Sequence, residues 1–289
     1  MRTKTTAFDV FLVILMLLLS CAFLYPLLNM LALSISDAQT LKSSPIYLLP
    51  VGFSLESYKA LLNDNRILLY YWNTIKYAAV GTVIMLLTTS LMAYPLSIPA
   101  LRGRRLISIL LTITMFFGGG LIPYYVTIMQ LGMINTFWVM VIPGAISAYN
   151  VIVFKTFFMS IPEALRESAS LDGAGHVRIL FQIVLPLSKA VLATFALFSI
   201  VGYWNDYMTA LLYLRDDTKY PIQLLMRRLL VLMDYKDAST AQMLKDFQKI
   251  STRTTKAAAT IITVVPVLCV YPFMQKHFAK GVLVGSIKA

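Results

Sequence analysis

Residues 160–186 read SIPEALRESASLDGAGHVRILFQIVLP, and they separate two long apolar runs, at about Phe137–Phe158 and Leu187–Leu214. The stretch is too polar to cross a membrane and too patterned to be a plain linker. Ser160 is placed to cap a helix, with Pro162 in the first turn, where its missing N–H costs little, and Glu163 three residues on. The spacing predicts a short helix through about Leu171, stopped by Gly173 after Asp172. A second helix is predicted from about Gly175 to Leu185, with Pro186 at the junction with the next apolar run. On the first helix Ala164, Ser168 and Leu171 share a face, and Glu163 and Glu167 lie four apart beside Arg166. Ala169 and Ala174 keep the surface low near the turn. Two physical readings are open: a compact knob on which a partner with basic groups docks, or a re-entrant or merely solvated loop.

The rest of the chain supplies the setting. Of 289 residues, 58% are apolar and 13% charged, with a mean hydropathy of +0.74. Soluble domains run near about 45–50% apolar and about 25% charged, so an ordinary soluble enzyme is excluded, and so is disorder. The sequence predicts an all-α, polytopic membrane protein. Six apolar runs have the length to span: about Val10–Leu33, Trp72–Ile98, Leu106–Met129, Phe137–Phe158, Leu187–Leu214 and Ala257–Met274. A spanning helix needs roughly 20 such residues. Both termini then lie on one side, and residues 160–186 lie on that same side. The Arg102, Arg104 and Arg105 cluster votes for that side being cytoplasmic. The formal net charge of +12 fits basic loops of a membrane protein, not nucleic-acid binding, since no basic run interleaves with exposed aromatics. The stretches 34–71 and 215–255 mix charges, aromatics and short apolar runs, and are expected to be folded, partly helical external loops. No internal repeat or separate soluble domain is visible, so 1–289 reads as a single membrane domain.

Few residues suggest chemistry. Cys21 and Cys269 sit inside apolar runs and read as small buried apolar residues, not a disulfide or zinc site. His176 and His277 are far apart, so no metal site is expected, and no catalytic set is visible. There is no phosphate-cradling loop with its lysine; Gly118–Gly120 reads as close helix packing or a helix break. Polar groups within spans are costly and mark pathways. Tyr203, Trp204, Asn205 and Asp206 combine aromatic surface with hydrogen-bonding groups, as a sugar path requires. Tyr124 and Tyr125 are a similar case. An aromatic belt at the outer interface is the other reading of all six.

Glu167-Ser168-Ala169, then Asp172-Gly173-Ala174, then Ile183 and Leu185-Pro186 resemble the cytoplasmic signature of permease subunits of bacterial ATP-binding-cassette importers. That signature reads Glu-Ala-Ala, three residues, Gly, nine residues, Ile, one residue, Leu-Pro; Ser168 replaces the first Ala. The stretches Phe116–Pro123, Ile142–Ser147, Tyr203–Asp206 and Lys280–Lys288 are similar to one branch of the carbohydrate importers, that of the maltose-type second permease. This branch includes importers of alginate, rhamnogalacturonan fragments and other complex oligosaccharides.

The resemblance implies a type I importer permease fold, with a coupling helix between the fourth and fifth spans. It implies docking of Glu163, Ala164, Glu167, Ser168, Ala169, Leu171, Asp172, Gly173 and Ala174 on a cassette ATPase, with Glu167 pairing with a basic residue there. It implies a second, homologous permease, two ATPase subunits that hold ATP and Mg, and an external sugar-binding protein that delivers an oligosaccharide. The chain itself would bind no cofactor and catalyse nothing. Two other classes make different demands on the sequence. A secondary transporter calls for repeated halves and buried coupling charges; a membrane enzyme acting on glycans calls for a clustered acid–base pair. Neither pattern is clear.

Overall fold

The computed structural model of the chain describes residues 6–38, 40–41, 48–63, 65–232 and 253–269. Its helices, in chain order, are α1 (Ala7–Ser34), α2 (Glu56–Leu62), α3 (Asn65–Ser97), α4 (Arg104–Phe116), α5 (Leu121–Gln130), α6 (Trp138–Val141) and α7 (Ala148–Met159). They continue with α8 (Glu163–Leu171), α9 (His176–Leu187), α10 (Lys189–Asn205), α11 (Met208–Tyr213), α12 (Ile222–Leu232) and α13 (253–269). Among the described residues the one β pairing is an isolated antiparallel bridge, Ser36 to Phe53. The all-helical expectation holds. Backbone groups in lipid must be satisfied within their own segment, and helices achieve that.

Two compact units are present. The first holds α1, α2 and most of α13. Helix α1 has Asp9 as its charged residue, in the first turn, and carries Pro26 inside. Its large apolar side chains are exposed from Phe8 to Leu31, and burial begins at Ala32. Such a surface is untenable in water and natural in hydrocarbon. At its end Ser36 donates from Oγ to the Ala32 carbonyl (2.6 Å) and accepts from the Val51 N–H (3.1 Å). Tyr58 on α2 donates to Ser34 Oγ (2.8 Å), and Ser57 to Thr254 Oγ1 on α13 (2.9 Å).

The second unit holds most of α3 and everything from α4 to the start of α12. Its core joins Met85, Ala93, Tyr94 and Leu96 of α3 to Val151, Phe154 and Phe158 of α7, Ile179, Leu180 and Val184 of α9, and Val191 and Phe195 of α10. Phe154 meets Phe158 and Phe195 edge-on, with ring centroids 5.8 and 5.1 Å apart. Apolar packing thus ties the polar segment 160–186 to three of the apolar runs, the second, fourth and fifth.

The predicted runs survive as hydrophobic stretches but not all as single helices. By length and composition α1 and residues Arg66–Ser97 can each cross a membrane. The third run is bent by 114° between α4 and α5, and the chain from Phe117 to Gly120 is open. Gly120 has φ +80°, a conformation that L side chains rarely adopt; of the two sequence readings of Gly118–Gly120, the helix break is the observed one. The fourth run is interrupted between α6 and α7 around Pro143 and Gly144, because proline removes a donor. The fifth run stops at Asn205, Asp206 adopts an extended backbone, and α11 resumes at Met208. The sixth is described to residue 269; residues 270–274, His277 and the tail 280–288 lie outside the described residues, as does 233–252. Cys21 and Cys269 are both free and exposed. This corrects the expectation of burial: apolar membrane helices turn small thiols outward as readily as inward, since lipid covers them.

A tight polar hub organises the region after α5. Asn135 has φ +59°, uncommon for a residue with a side chain. Its Oδ1 accepts from the N–H groups of Arg215 (3.1 Å) and Asp216 (3.0 Å), and its carbonyl accepts from Lys219 Nζ (2.8 Å). Asn135→Ala loses both side-chain acceptor bonds and keeps the strained backbone, so we expect destabilisation of about 1–3 kcal/mol, read as a lower melting temperature of the solubilised protein. Beside it, Asp216 accepts from Thr218 Oγ1 (2.7 Å) and Thr218 N (3.1 Å), with Lys219 Nζ 3.5 Å away. These hydrogen bonds, and secondarily Lys219, hold its carboxyl below the usual carboxylate value. The bonded carboxylate contributes above its unfolded pKa, and the contribution is lost as pH falls through the lowered folded value. An acid titration of Asp216→Asn should lack this step.

Candidate functional site

Segment 160–186 is held by its own local chemistry. Ser160 donates from Oγ to the Phe157 carbonyl (2.7 Å) and ends α7. It does not cap α8, contrary to the sequence expectation. Ile161 is drawn into the core, so the chain stays non-helical through Pro162 and α8 begins at Glu163. Arg166 is not held beside its neighbouring carboxylates: its Nη2 donates to the carbonyls of Phe158 (2.8 Å) and Ile161 (3.2 Å). Both carbonyls lie at or just beyond a helix end, where basic side chains satisfy acceptors well. Arg166 therefore lashes α8 to α7.

The end of α8 is a Schellman turn. The Gly173 N–H donates to Ser170 O (3.0 Å) and the Ala174 N–H to Ala169 O (2.9 Å), with Gly173 at φ +79°. Ala169 and Ala174 pack against the core cluster, facing the protein more than the surroundings. Glu163, Ala164, Glu167, Ser168, Asp172 and Gly173 are exposed, and Leu171 is 89% exposed. Leu171 thus projects from the end of a helix that Arg166 braces from behind. A groove of about 490 Å³ beside it is lined by Tyr94, Glu163, Arg166, Glu167, Leu171 and His176. Tyr94 Oη and His176 Nδ1 lie 3.4 Å apart.

The predicted second helix is α9, starting at His176, one residue later than expected. Residues Leu180–Val184 form a π turn, immediately ahead of Pro186, whose nitrogen cannot donate. π turns concentrate at functional sites. From α9 to α10 the chain bends by 82°.

The candidate path residues separate. Tyr203 and Asp206 share a cavity of about 390 Å³ with Tyr149, Asn150, Phe198 and Ser199. Tyr203 donates to the Val141 carbonyl (3.1 Å), and Asp206 Oδ1 accepts from the Thr209 N–H (3.0 Å). Thr82 Oγ1 donates to Ser199 Oγ (3.0 Å). Trp204 points elsewhere, buried with its ring 5.9 Å from Tyr71, and Asn205 accepts from Gln223 Nε2 (3.2 Å). Tyr124 is exposed, while Tyr125 stacks on Tyr213 at 5.5 Å. Tyr149, Asn150 and Ser199 were missed in the sequence; Asn150, an amide inside an apolar run, was the available signal.

An all-helical membrane chain, with bent spans around one polar, surface-presented elbow, has the architecture of a transport permease. The family described as binding-protein-dependent transport system inner membrane component matches residues 75–284. The chain belongs to that family: it is a non-catalytic, multi-pass permease subunit of an importer that works with a binding protein. It is 38% identical to the polygalacturonan/rhamnogalacturonan transport system permease protein YtcP of Bacillus subtilis, over 99% of both chains. In structure it is similar to a chain of a bacterial ABC transporter involved in the import of the acidic polysaccharide alginate, with TM-score 0.86 and 31% identity over 96% of this chain and 100% of that one. A chain of a bacterial alginate ABC transporter in complex with an alginate pentasaccharide-bound periplasmic protein shares the fold, at TM-score 0.55 and 17% identity over 91% and 92%.

Proposed function

We propose that this chain is one half of the translocation path of an ATP-driven importer of oligosaccharides, including uronate-containing ones, and that α8 and its Schellman turn couple it to a cytoplasmic ATPase. Carbohydrate cargo is supported by YtcP, named for polygalacturonan/rhamnogalacturonan transport, and by the transporter involved in the import of the acidic polysaccharide alginate. The observation that carries the coupling role is the bare tip of α8, with Leu171 and Gly173 outward and Arg166 bracing the helix from behind. A rigid tip transmits a push; a solvated loop would absorb it. Six spans put both termini in the cytoplasm and make 1–289 one permease domain. A homologous second permease completes the path, and two ATPase subunits hold ATP and Mg. Closure of the ATPases and arrival of the loaded binding protein bias the outward-facing state, and hydrolysis resets it. Tyr203, Asp206, Tyr149 and Asn150 offer the sugar an aromatic wall and hydrogen-bonding groups.

Affinity purification of the tagged chain from its native membrane in mild detergent, with mass spectrometry of what accompanies it, tests this. A second permease and a cassette ATPase are expected. Reproducible recovery of the chain without any ATPase contradicts the coupling role and reopens the secondary-transporter reading.

A further inference from the structure

We propose that the groove along α4, at the end of the second unit that carries segment 160–186, is a specific binding site for an anionic phospholipid. The groove has a volume of about 980 Å³. At one end it presents Arg104, Arg105 and Lys155 with Ser108 between them. Lys155 Nζ donates to Ser108 Oγ (2.8 Å), and the Arg104 Nη2 contact is Met159 Sδ (3.1 Å). Among the described residues no carboxylate lies within ion-pair distance of these three cations. Three gathered positive groups without a counter-charge call for an anion with several acceptor oxygens.

Away from this end the character reverses. Ile109, Ile113, Phe116 and Phe117 line the groove and are exposed. Arg105, Ile109 and Ile113 lie on one row of the helix, and Arg104, Ser108 and Thr112 on the next. From Arg104 to Phe116 the helix rises about 18 Å, close to the roughly 15 Å of one leaflet's hydrocarbon. A cationic end followed by an apolar channel of acyl-chain length fits a phospholipid with its phosphate at Lys155 and a chain along Ile109 and Ile113. An apolar helix of a partner would leave the three cations unanswered. Basic pockets between membrane helices on the cytoplasmic side bind anionic headgroups.

The end concerned is shared with the coupling segment: Leu91, Ala100 and Arg102 line one cleft with His176 and Val177. Assignment to the cytoplasmic leaflet rests on the docking reading above.

The test uses the full tagged chain with its native partners. Lipids retained in mild detergent are quantified by mass spectrometry against the bulk membrane, then by titration with phosphatidylglycerol and with phosphatidylcholine of equal chain length. Retention of phosphatidylglycerol over phosphatidylcholine is expected. Lys155→Gln should weaken it about fivefold, the worth of one such cation; Lys155→Arg should keep it, and Arg102→Gln, off the groove, should leave it unchanged. Millimolar inorganic phosphate should not displace it, because the apolar channel holds the chain. Equal retention of the two lipids, indifference to Lys155→Gln, or displacement by phosphate alone would overturn the site. Selective retention without any co-purified ATPase would leave the lipid site standing and remove the coupling role, so the two failures are distinguishable.

Discussion

Replacing Gly173 by tryptophan is expected to abolish uptake, by a factor of about a hundred or more, while the chain still inserts and assembles its own core. Gly173 has φ +79°, and a Cβ there meets nothing within 4 Å of its own chain. The internal cost of any L residue is therefore backbone strain alone, of order 1–2 kcal/mol, too little to unfold a chain of this size. What grows with side-chain size is the obstruction outside the chain, where the partner must approach. Gly173→Ala has nearly the same backbone strain and little bulk, so it should retain most uptake. A graded series from Ala through Leu to Trp, read as uptake per molecule of ATP hydrolysed, separates docking from strain. Equal loss in Ala and Trp would assign the effect to the fold. Normal uptake in Trp would remove Gly173 from the coupling surface.

The second large effect is expected at Gly81. A Cβ at this position in α3 would overlap the Tyr203 ring, lying 2.7 Å from its hydroxyl oxygen. The ring cannot swing away freely, because its hydroxyl donates to the Val141 carbonyl (3.1 Å). Gly81→Ala should therefore cost about 1–3 kcal/mol from overpacking and displace Tyr203 from the cavity it shares with Asp206. Transport should fall more than stability. Tyr203→Ala in the same chain removes the clash, so the double variant should melt higher than the sum of the single effects implies. Additive melting shifts would mean that the two residues do not press on each other.

The sequence made the coarse architecture readable because its signals were redundant. Apolar runs of spanning length, a polar interruption at 160–186 and glycine after Asp172 all agreed, and α8 ends on the residue that the glycine predicted. The beginning of α8 was misread because capping chemistry at Ser160 competes with a tertiary demand, the burial of Ile161, that local pattern does not register. Hydropathy was also blind to breaks within apolar runs: the 114° turn between α4 and α5 lies inside a stretch that scores as one span. The cavity was legible only in part. Tyr203, in the last turn of α10, and Asp206, just past its end, reach the same cavity, whereas Trp204 and Asn205 project elsewhere; adjacent residues on a helix cannot line one wall. Ser199 lies one turn before Tyr203 on α10, whereas Tyr149 comes from α7, and only packing brings it there.

The central claim is that the tip of α8 touches the ATPase. A photo-reactive amino acid at position 171, with a control at the lipid-exposed position 18, measures this in intact cells. A single abundant adduct of this chain with a cassette ATPase, formed from 171 and not from 18, is the expected result. An adduct from 171 with lipid or with no protein, in cells where the importer is active, would contradict the claim.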